Sequence, residues 1–368
     1  MPEALKHLYS KEYIELLAKE IEREFPVFHK HPFTAMVLDN QWPKLELKQR
    51  MRRISECLRA HLPQDFTVAV KILIKVRPRM NGLKYINFAN VCFADFVECY
   101  GLEHYTAAIP ALEFFTIDSS SEFAVRPFII RYPKAMMKQM LVWAHHPNEH
   151  VRRLASEGCR PRLPWAMGLP EFRKDPSPIL PILEKLKDDP SEFVRRSVAN
   201  NLNDIAKDHP DLVLKLAKKW SGHSDATDRL IRHGCRTLLK RGHERTLNHF
   251  GLRKTPGVKV TGFKFSKSSV AVGDTLSFSF RVFTPVTQKL RIEYKIGFLT
   301  SRGVYSYKIF KIGEKIFEKQ IHHPLSRSHS FRDRTIRKHY SGKHTLSILI
   351  NGTVFAQKSF QVIKGSRS

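Results

Sequence analysis

The chain has few cysteines, no long apolar run and a shortage of acidic side chains. Its cysteines are Cys57, Cys92, Cys99, Cys159 and Cys235; they are odd in number, scattered, and absent after residue 235. That usage excludes a disulfide framework and fits a reducing compartment, so a cytoplasmic protein is expected. No stretch of about eighteen apolar residues is present, which excludes a spanning helix. The start, MPEALKHLYSKEYIELLAKEIE, reads as an acidic-basic amphipathic helix without the apolar centre of a signal peptide. Also missing are a Gly-x-Gly-x-x-Gly turn, a Walker loop, His-Glu-x-x-His and Cys-x-x-Cys. His145-His146 and His322-His323 lack spaced carboxylates or thiols, so no metal and no cofactor are expected. No lysine stands out as a Schiff-base nucleophile.

The acidic deficit is the first positive signal. Against 63 Lys and Arg stand 35 Asp and Glu, a net charge of +28. Such a balance suits a polyanionic partner, either nucleic acid or an anionic membrane surface. A membrane-surface protein is the weaker idea, because no basic amphipathic helix with exposed Trp or Phe is found. Residues 255–368 carry 21 basic against 5 acidic side chains, so the end of the chain is the more basic part.

At 368 residues the chain is long for one core, and two domains are expected. Up to about residue 250 the pattern is helical, with apolar residues recurring at three and four: Ile14, Leu17 and Ile21, then Val194, Val198, Leu202 and Ile205. Breaks fall at Phe25-Pro26, Arg77-Pro78, His146-Pro147 and Asp189-Pro190. The segments PNEHVRR from Pro147 and PSEFVRR from Pro190 match at five of seven positions and lie 43 residues apart. That spacing falls in the HEAT/armadillo range of roughly 40–47. Asp189 with Glu192 reads as a capping box, with Pro190 at the first helical position. Segments from Ser121 and from Asp228 look like weaker copies. Stacked helix pairs of this kind form a solenoid with a concave face.

Near Lys254 the period changes to two. Alternating runs begin at Val258, Leu276, Leu290, Tyr305 and Thr345, and Asn351-Gly352 is a hairpin signal. About seven strands are expected, forming an antiparallel sandwich held by packing alone. The expected architecture is an all-α HEAT-like solenoid, residues 1–253, followed by an all-β immunoglobulin-like sandwich, residues 254–368. Between His322 and Tyr340 a loop is expected to carry Arg327, Arg332, Arg334, Arg337 and Lys338 with His322, His323, His329 and His339, a density that suits phosphate contact.

The densest chemistry lies in Pro147–Trp165, PNEHVRRLASEGCRPRLPW. Arg153 and Glu157 lie four apart on a flank of the stripe Val151, Leu154, Ala155 and Gly158, and Arg160 follows. Periodicity alone favours a surface ion pair of roughly 0.3–0.5 kcal/mol. Trp165 follows Arg160-Pro-Arg-Leu-Pro, whose two prolines stiffen the turn; it reads either as a packing residue or as a ring presented to a cation. Asp204 shares a helix face with Arg196 and Asn200, and reads as a solvated carboxylate or a functional one. Glu122 opens a helix, where the dipole favours it. Cys159, beside Arg160, reads as a small core residue.

This stretch closely resembles the signature of the AlkC/AlkD family of alkylbase DNA glycosylases, which are built from HEAT-like repeats. The resemblance runs from the N-terminus to about residue 250, and the remainder resembles the immunoglobulin-like extension of the AlkC branch. It implies a monofunctional glycosylase that hydrolyses the N-glycosidic bond of cationic N3-alkylated bases, 3-methyladenine and 3-methylcytosine, in duplex DNA during base excision repair. The implied catalytic residues are Glu157, Trp165, Glu122 and Asp204. Arg153, Arg160 and Arg162 would grip phosphates, with Arg332, Arg334, Arg337 and Lys338 on the sandwich. The AlkD branch uses an aspartate as its main carboxylate, whereas the group here is the longer Glu157. The expected partner is alkylated duplex DNA, bound by a monomer and with no membrane. The alternative is a non-catalytic HEAT-repeat scaffold for nucleic acid or protein, which predicts binding without base release.

Overall fold

The structure, a computed structural model, describes residues 5–83, 86–253, 255–333 and 337–365. Helices fill the chain from Leu5 to His249, and strands follow from Lys259 to Ile363. Two compact units result: residues up to Val213 with Lys219–Gly234, and Leu214–Lys218 with Cys235 onward. The expected boundary at 253/254 is therefore close to the change of secondary structure, while packing divides the chain after Gly234. Lys254 lies outside the described residues.

In the helical unit the predicted stripes are the buried ones. Ile14, Leu17 and Ile21 are fully buried on the helix Lys11–Glu24. That helix starts later than the sequence suggests, because the Ser10 side chain caps it by accepting from the Tyr13 N–H; a short 3-10 turn, Leu5–Leu8, precedes it. Residues 1–4 lie outside the described part. Among the described residues, no helix is long and apolar enough to cross a membrane.

The repeat read in the sequence has a structural counterpart. Arg152 on the helix Glu149–Gly158 reaches back to the carbonyl oxygens of His146 and Pro147, at 3.0 and 2.7 Å. Arg195 on the helix Glu192–Ile205 does the same to Asp189 and Pro190, at 2.5 and 2.8 Å. Each arginine thus satisfies carbonyl groups at the bend that leads into its own helix. The two helices pack on each other, and Glu192–Ile205 packs on Asp225–Gly234.

The capping box expected at Asp189 does not form. The helix begins at Glu192 with Ser191 at its N-cap, so Pro190 lies outside it. The Asp189 carboxylate instead accepts from Arg152 through both oxygens, at 2.7 and 3.0 Å, and from the Ser191 N–H at 2.9 Å. A charged donor from the preceding repeat offers a stronger bond than a cap does.

In the second unit, eight strands occur among the described residues: β1 (Lys259–Phe265), β2 (Ser269–Ala271), β3 (Thr275–Phe283), β4 (Gln288–Leu299), β5 (Tyr305–Phe317), β6 (His322–Ser330), β7 (Gly342–Ile350) and β8 (Thr353–Ile363). One sheet has the order β1-β3-β6, the other β2-β8-β7-β4-β5. The pairing is antiparallel except at β2–β8, which is parallel and departs from the expected pattern. Leu276, Phe278, Phe280 and Val282 alternate inward along β3 to meet Leu290, Ile292, Ile296, Leu346 and Ile348 in the core. Asn351 and Gly352 both have positive φ, +46° and +80°, as a two-residue turn between β7 and β8 requires.

Two short helices, Arg236–Lys240 and Glu244–His249, belong to this unit. A Cβ on Gly352 would lie 2.5 Å from the Gly242 Cα, so the β7–β8 turn and the chain at Gly242 are in backbone contact. The Asn351 side chain also donates to the Arg253 carbonyl at 2.9 Å.

The expected loop from His322 to Tyr340 begins as a strand. His322–Ser330 is β6, paired with β3 along its whole length, from Phe283↔His322 to Thr275↔Ser330. Its alternation of Leu325, Arg327 and His329 with Ser326, Ser328 and Ser330 is a strand period that the basic density obscures.

Candidate active site

The helix Glu149–Gly158 owes its start to Asn148, whose side chain accepts from the His150 N–H at 2.8 Å. Val151, Leu154, Ala155 and Gly158 are buried as the stripe predicts. Gly158 has no room for a side chain: a Cβ there would stand 2.6 Å from Val125 Cγ2. This close approach seats the C-terminal end of the helix, which carries Glu157.

Glu157 is not on the surface. Its side chain is 6% exposed, and the ion pair read as a solvated one is buried. Arg160 Nη1 donates to Glu157 Oε1 at 2.6 Å, and Arg153 Nη2 lies 3.6 Å from the same oxygen. On its other side Arg153 pairs with Glu122 at 2.5 Å. Arg160 Nε donates to Asp204 Oδ2 at 2.9 Å, and Lys207 Nζ to Asp204 Oδ1, also at 2.9 Å. The side chains form one chain of alternating charge: Glu122, Arg153, Glu157, Arg160, Asp204, Lys207. Three carboxylates named from the sequence are thereby brought together.

Asp204 is 2% exposed, so the solvated reading is excluded, and it does not belong with Arg196 and Asn200. It shares its buried face with Ser197 and Asn201, at positions i, i+4 and i+7. Glu122 lies in the turn before the helix Val125–Arg131 rather than inside it, and accepts from Ser120 Oγ at 3.1 Å.

Arg160, expected to grip a phosphate, has its side chain 8% exposed, with the guanidinium between two carboxylates. Burial alone would lower its pKa, but Glu157 and Asp204 together hold it above the ordinary value. Arg162 is more open; it pairs with Asp208 and donates to the Asp204 carbonyl at 3.3 Å. Its hydrogen bond raises the Arg162 pKa and lowers that of Asp208. Arg153 also stacks over the Phe193 ring, 5.0 Å from its centroid. Cys159 is buried, and burial pushes its thiol up to about 12, which fits a core residue.

Trp165 stands in the loop that follows, 63% exposed and with φ of +65°. A left-handed backbone at a bulky residue is strained, and such strain concentrates at functional sites. Lys48 Nζ donates to the Trp165 carbonyl at 2.9 Å. Arg126, fully buried, ties this loop to the Glu157 helix: its Nε donates to the Met167 carbonyl at 2.6 Å and its Nη1 to the Gly158 carbonyl at 2.8 Å. Burial lowers the Arg126 pKa to about 10.

Sequence reading misses Arg126, Lys207 and a buried hydroxyl pair. Ser197 Oγ donates to Glu157 Oε2 at 2.6 Å and lies 2.7 Å from Ser156 Oγ. Asn201 Nδ2 donates to the Ser156 carbonyl at 2.8 Å. A signal exists for Ser197 and Asn201, which fall in phase with the apolar stripe of their helix. Among the described residues, no group of three or more His, Cys, Asp or Glu is placed to hold a metal ion.

In the second unit, Arg332 and Lys338 are exposed, and Arg337 lies over the Phe298 ring, 4.6 Å from its centroid. Arg334 lies outside the described residues.

Comparison with known proteins agrees with both halves of this description. Residues 44–241 match the family model described as DNA alkylation repair enzyme. Residues 259–364 match the one described as Uncharacterised protein YhaZ, C-terminal Ig-like domain. The chain is 45% identical over 358 residues to Uncharacterized protein YhaZ of Bacillus subtilis (strain 168), covering 97% of this chain and 99% of that protein. It also resembles the Pseudomonas fluorescens alkylpurine DNA glycosylase AlkC, solved bound to DNA containing an abasic site analog. There the identity is 34%, the TM-score 0.92, and the coverage 98% of this chain and 100% of that one. The chain belongs to the DNA alkylation repair enzyme family, on the AlkC-type glycosylase branch that carries a C-terminal immunoglobulin-like domain.

Proposed function

We propose that this protein hydrolyses the N-glycosidic bond of cationic N3-alkylated bases, 3-methyladenine and 3-methylcytosine, in duplex DNA. It would act as a monomer, in the cytoplasm, at the first step of base excision repair. The observation that carries this reading is the buried chain of alternating charge centred on Glu157.

An N3-alkylated base is already cationic, so it leaves with the bonding electron pair as a neutral base and needs no proton. The bond break leaves oxocarbenium-like positive charge on the deoxyribose, and water adds at C1′ and gives up a proton. Fixed carboxylates in a dry site stabilise that charge, and one of them can take the proton. This is the two-carboxylate logic of sugar hydrolysis without the acid. Glu157 is the central carboxylate, with Asp204 and Glu122 completing the negative set. Arg153 and Arg160 hold these groups in place without bulk solvent. Trp165, exposed on a stiff loop, offers its ring face to the cationic base or sugar. Arg162 on the helical unit, and Arg332, Arg334, Arg337 and Lys338 on the sandwich, supply phosphate contacts.

The test is release of free methylated bases from methylated duplex DNA, read by mass spectrometry, with Glu157→Gln alongside. Release of 3-methyladenine or 3-methylcytosine by the wild type, reduced at least about tenfold in the variant, supports the assignment. DNA binding with no base released would favour a scaffold and remove the catalytic roles.

A further inference from the structure

Glu157 is held from two sides, and only one of them is charged. Its Oε1 takes the arginines, Arg160 at 2.6 Å and Arg153 at 3.6 Å. Its Oε2 takes a neutral hydroxyl, Ser197 Oγ at 2.6 Å, from the next repeat helix. A serine has one proton to donate, so a Ser197 that donates to the carboxylate can only accept elsewhere. Ser156 Oγ fills that place, 2.7 Å away. The other acceptor in reach of the Ser156 hydroxyl is the Arg153 carbonyl, at the longer distance of 3.1 Å. Ser156, Ser197 and Glu157 are all buried, at 0%, 2% and 5% exposure, so water does not compete for these bonds.

We propose that Ser197, oriented by Ser156, is a positioning residue for the reaction: it fixes the plane of the Glu157 carboxylate through Oε2, the oxygen opposite the Arg160 bond. The proposal rests on the reading of Glu157 as the central carboxylate. An arginine on one oxygen leaves the carboxylate free to pivot about that contact. A second bond from a different helix removes the pivot. Each oxygen keeps acceptor capacity for a further partner, so the restraint does not use up the group's chemistry. The Asn201 bond to the Ser156 carbonyl, at 2.8 Å, holds the two helices in the register that the hydroxyl pair needs. Catalysis depends on such support, because a carboxylate displaced by an ångström loses much of its effect on the reacting carbon.

The experiment compares Ser197→Thr with Ser197→Val in the full chain. The two side chains have nearly the same shape, so any crowding at this buried position affects both, and the difference reports the hydroxyl. Three quantities are measured: single-turnover base release from methylated duplex DNA, the dissociation constant for a duplex carrying an uncleavable abasic-site analogue, and the melting temperature. We expect Thr to retain a rate within about threefold of wild type and Val to lose about tenfold or more, with equal DNA affinity for the two. Ser156→Ala, which leaves the Ser197 donor in place, should lose less than Val. Equal rates for Thr and Val while Glu157→Gln is inactive would overturn the positioning role and leave the function standing. So would a loss for Val that shows in affinity and melting temperature rather than in rate. A fully active Glu157→Gln would overturn the reading of Glu157, and this proposal with it.

Discussion

Arg160 Nε lies 2.9 Å from Asp204 Oδ2, a carboxylate 44 residues further along the chain and on the next repeat helix. Since Arg160 also holds Glu157, deleting it would leave two buried carboxylates short of their counter-charge. Breaking a buried ion pair by removing one partner costs about 3–5 kcal/mol. Arg160→Met should therefore lower stability by that order in urea unfolding of the whole protein. A phosphate-gripping Arg160 predicts the opposite pattern: unchanged unfolding and a reduced salt dependence of DNA binding.

Trp165 makes the contrasting case. Its ring is 63% exposed, so it contributes little to packing, and its φ of +65° suits glycine better than any side chain. Trp165→Gly should leave the melting temperature unchanged or raised, while base release falls by at least about tenfold. A fall of several degrees would make Trp165 a packing residue and remove its assigned role.

These two residues mark how far the sequence carries. Trp165 is legible because two prolines and a family-like motif surround it. Arg160 is legible as a candidate-site residue but not as a buried one, since its partner Asp204 is remote in the chain and no local spacing announces the pair. The stripe Val194, Val198, Leu202 and Ile205 is plain in the sequence, but the polar residues on the same side are not. Ser197, Asn201 and Asp204 alternate with that stripe and are buried with it, whereas Arg196 points to solvent. Polar residues in phase with an apolar stripe look like interruptions until a second helix supplies their partners. Conversely, the histidines and Arg327 of β6, read together with the basic residues that follow the strand, hide its period of two, so that it reads as a loop.

The basic residues of the second unit should reveal themselves through salt. Removing one phosphate-binding charge reduces the slope of log affinity against log salt by about 1. Lys338→Ala and Arg332→Ala, both exposed, should each flatten the slope for unmodified duplex DNA with little change in stability. Arg337→Ala should also lower the stability of the sandwich, because its guanidinium rests on the Phe298 ring. Unchanged slopes in all three would remove this surface from the DNA-binding face.

The sandwich should also be sensitive to mild acid, and His344 is the reason. It is fully buried among the rings of Phe298, Phe331 and Phe360. Its Nε2 donates to the Tyr340 carbonyl at 3.0 Å, while its Nδ1 has no hydrogen-bond partner among the described residues. Burial lowers its pKa below the ordinary imidazole value of 6.5, more than the Tyr340 bond raises it. Unfolded His344 therefore takes up a proton at a higher pH than the folded residue does. Above about pH 6.5 both states are neutral and stability is unaffected; as pH falls below that value the unfolded state gains the proton first, and stability drops until the folded pKa is reached. His339, packed on Phe331 with Asp333 and Arg337 nearby, is shifted the same way, chiefly by burial, and adds to the effect. His344→Phe removes the titration and keeps an aromatic ring, so its unfolding midpoint should change less between pH 7 and pH 5 than that of the wild type. Equal acid sensitivity in the two proteins would place the cause elsewhere in the chain.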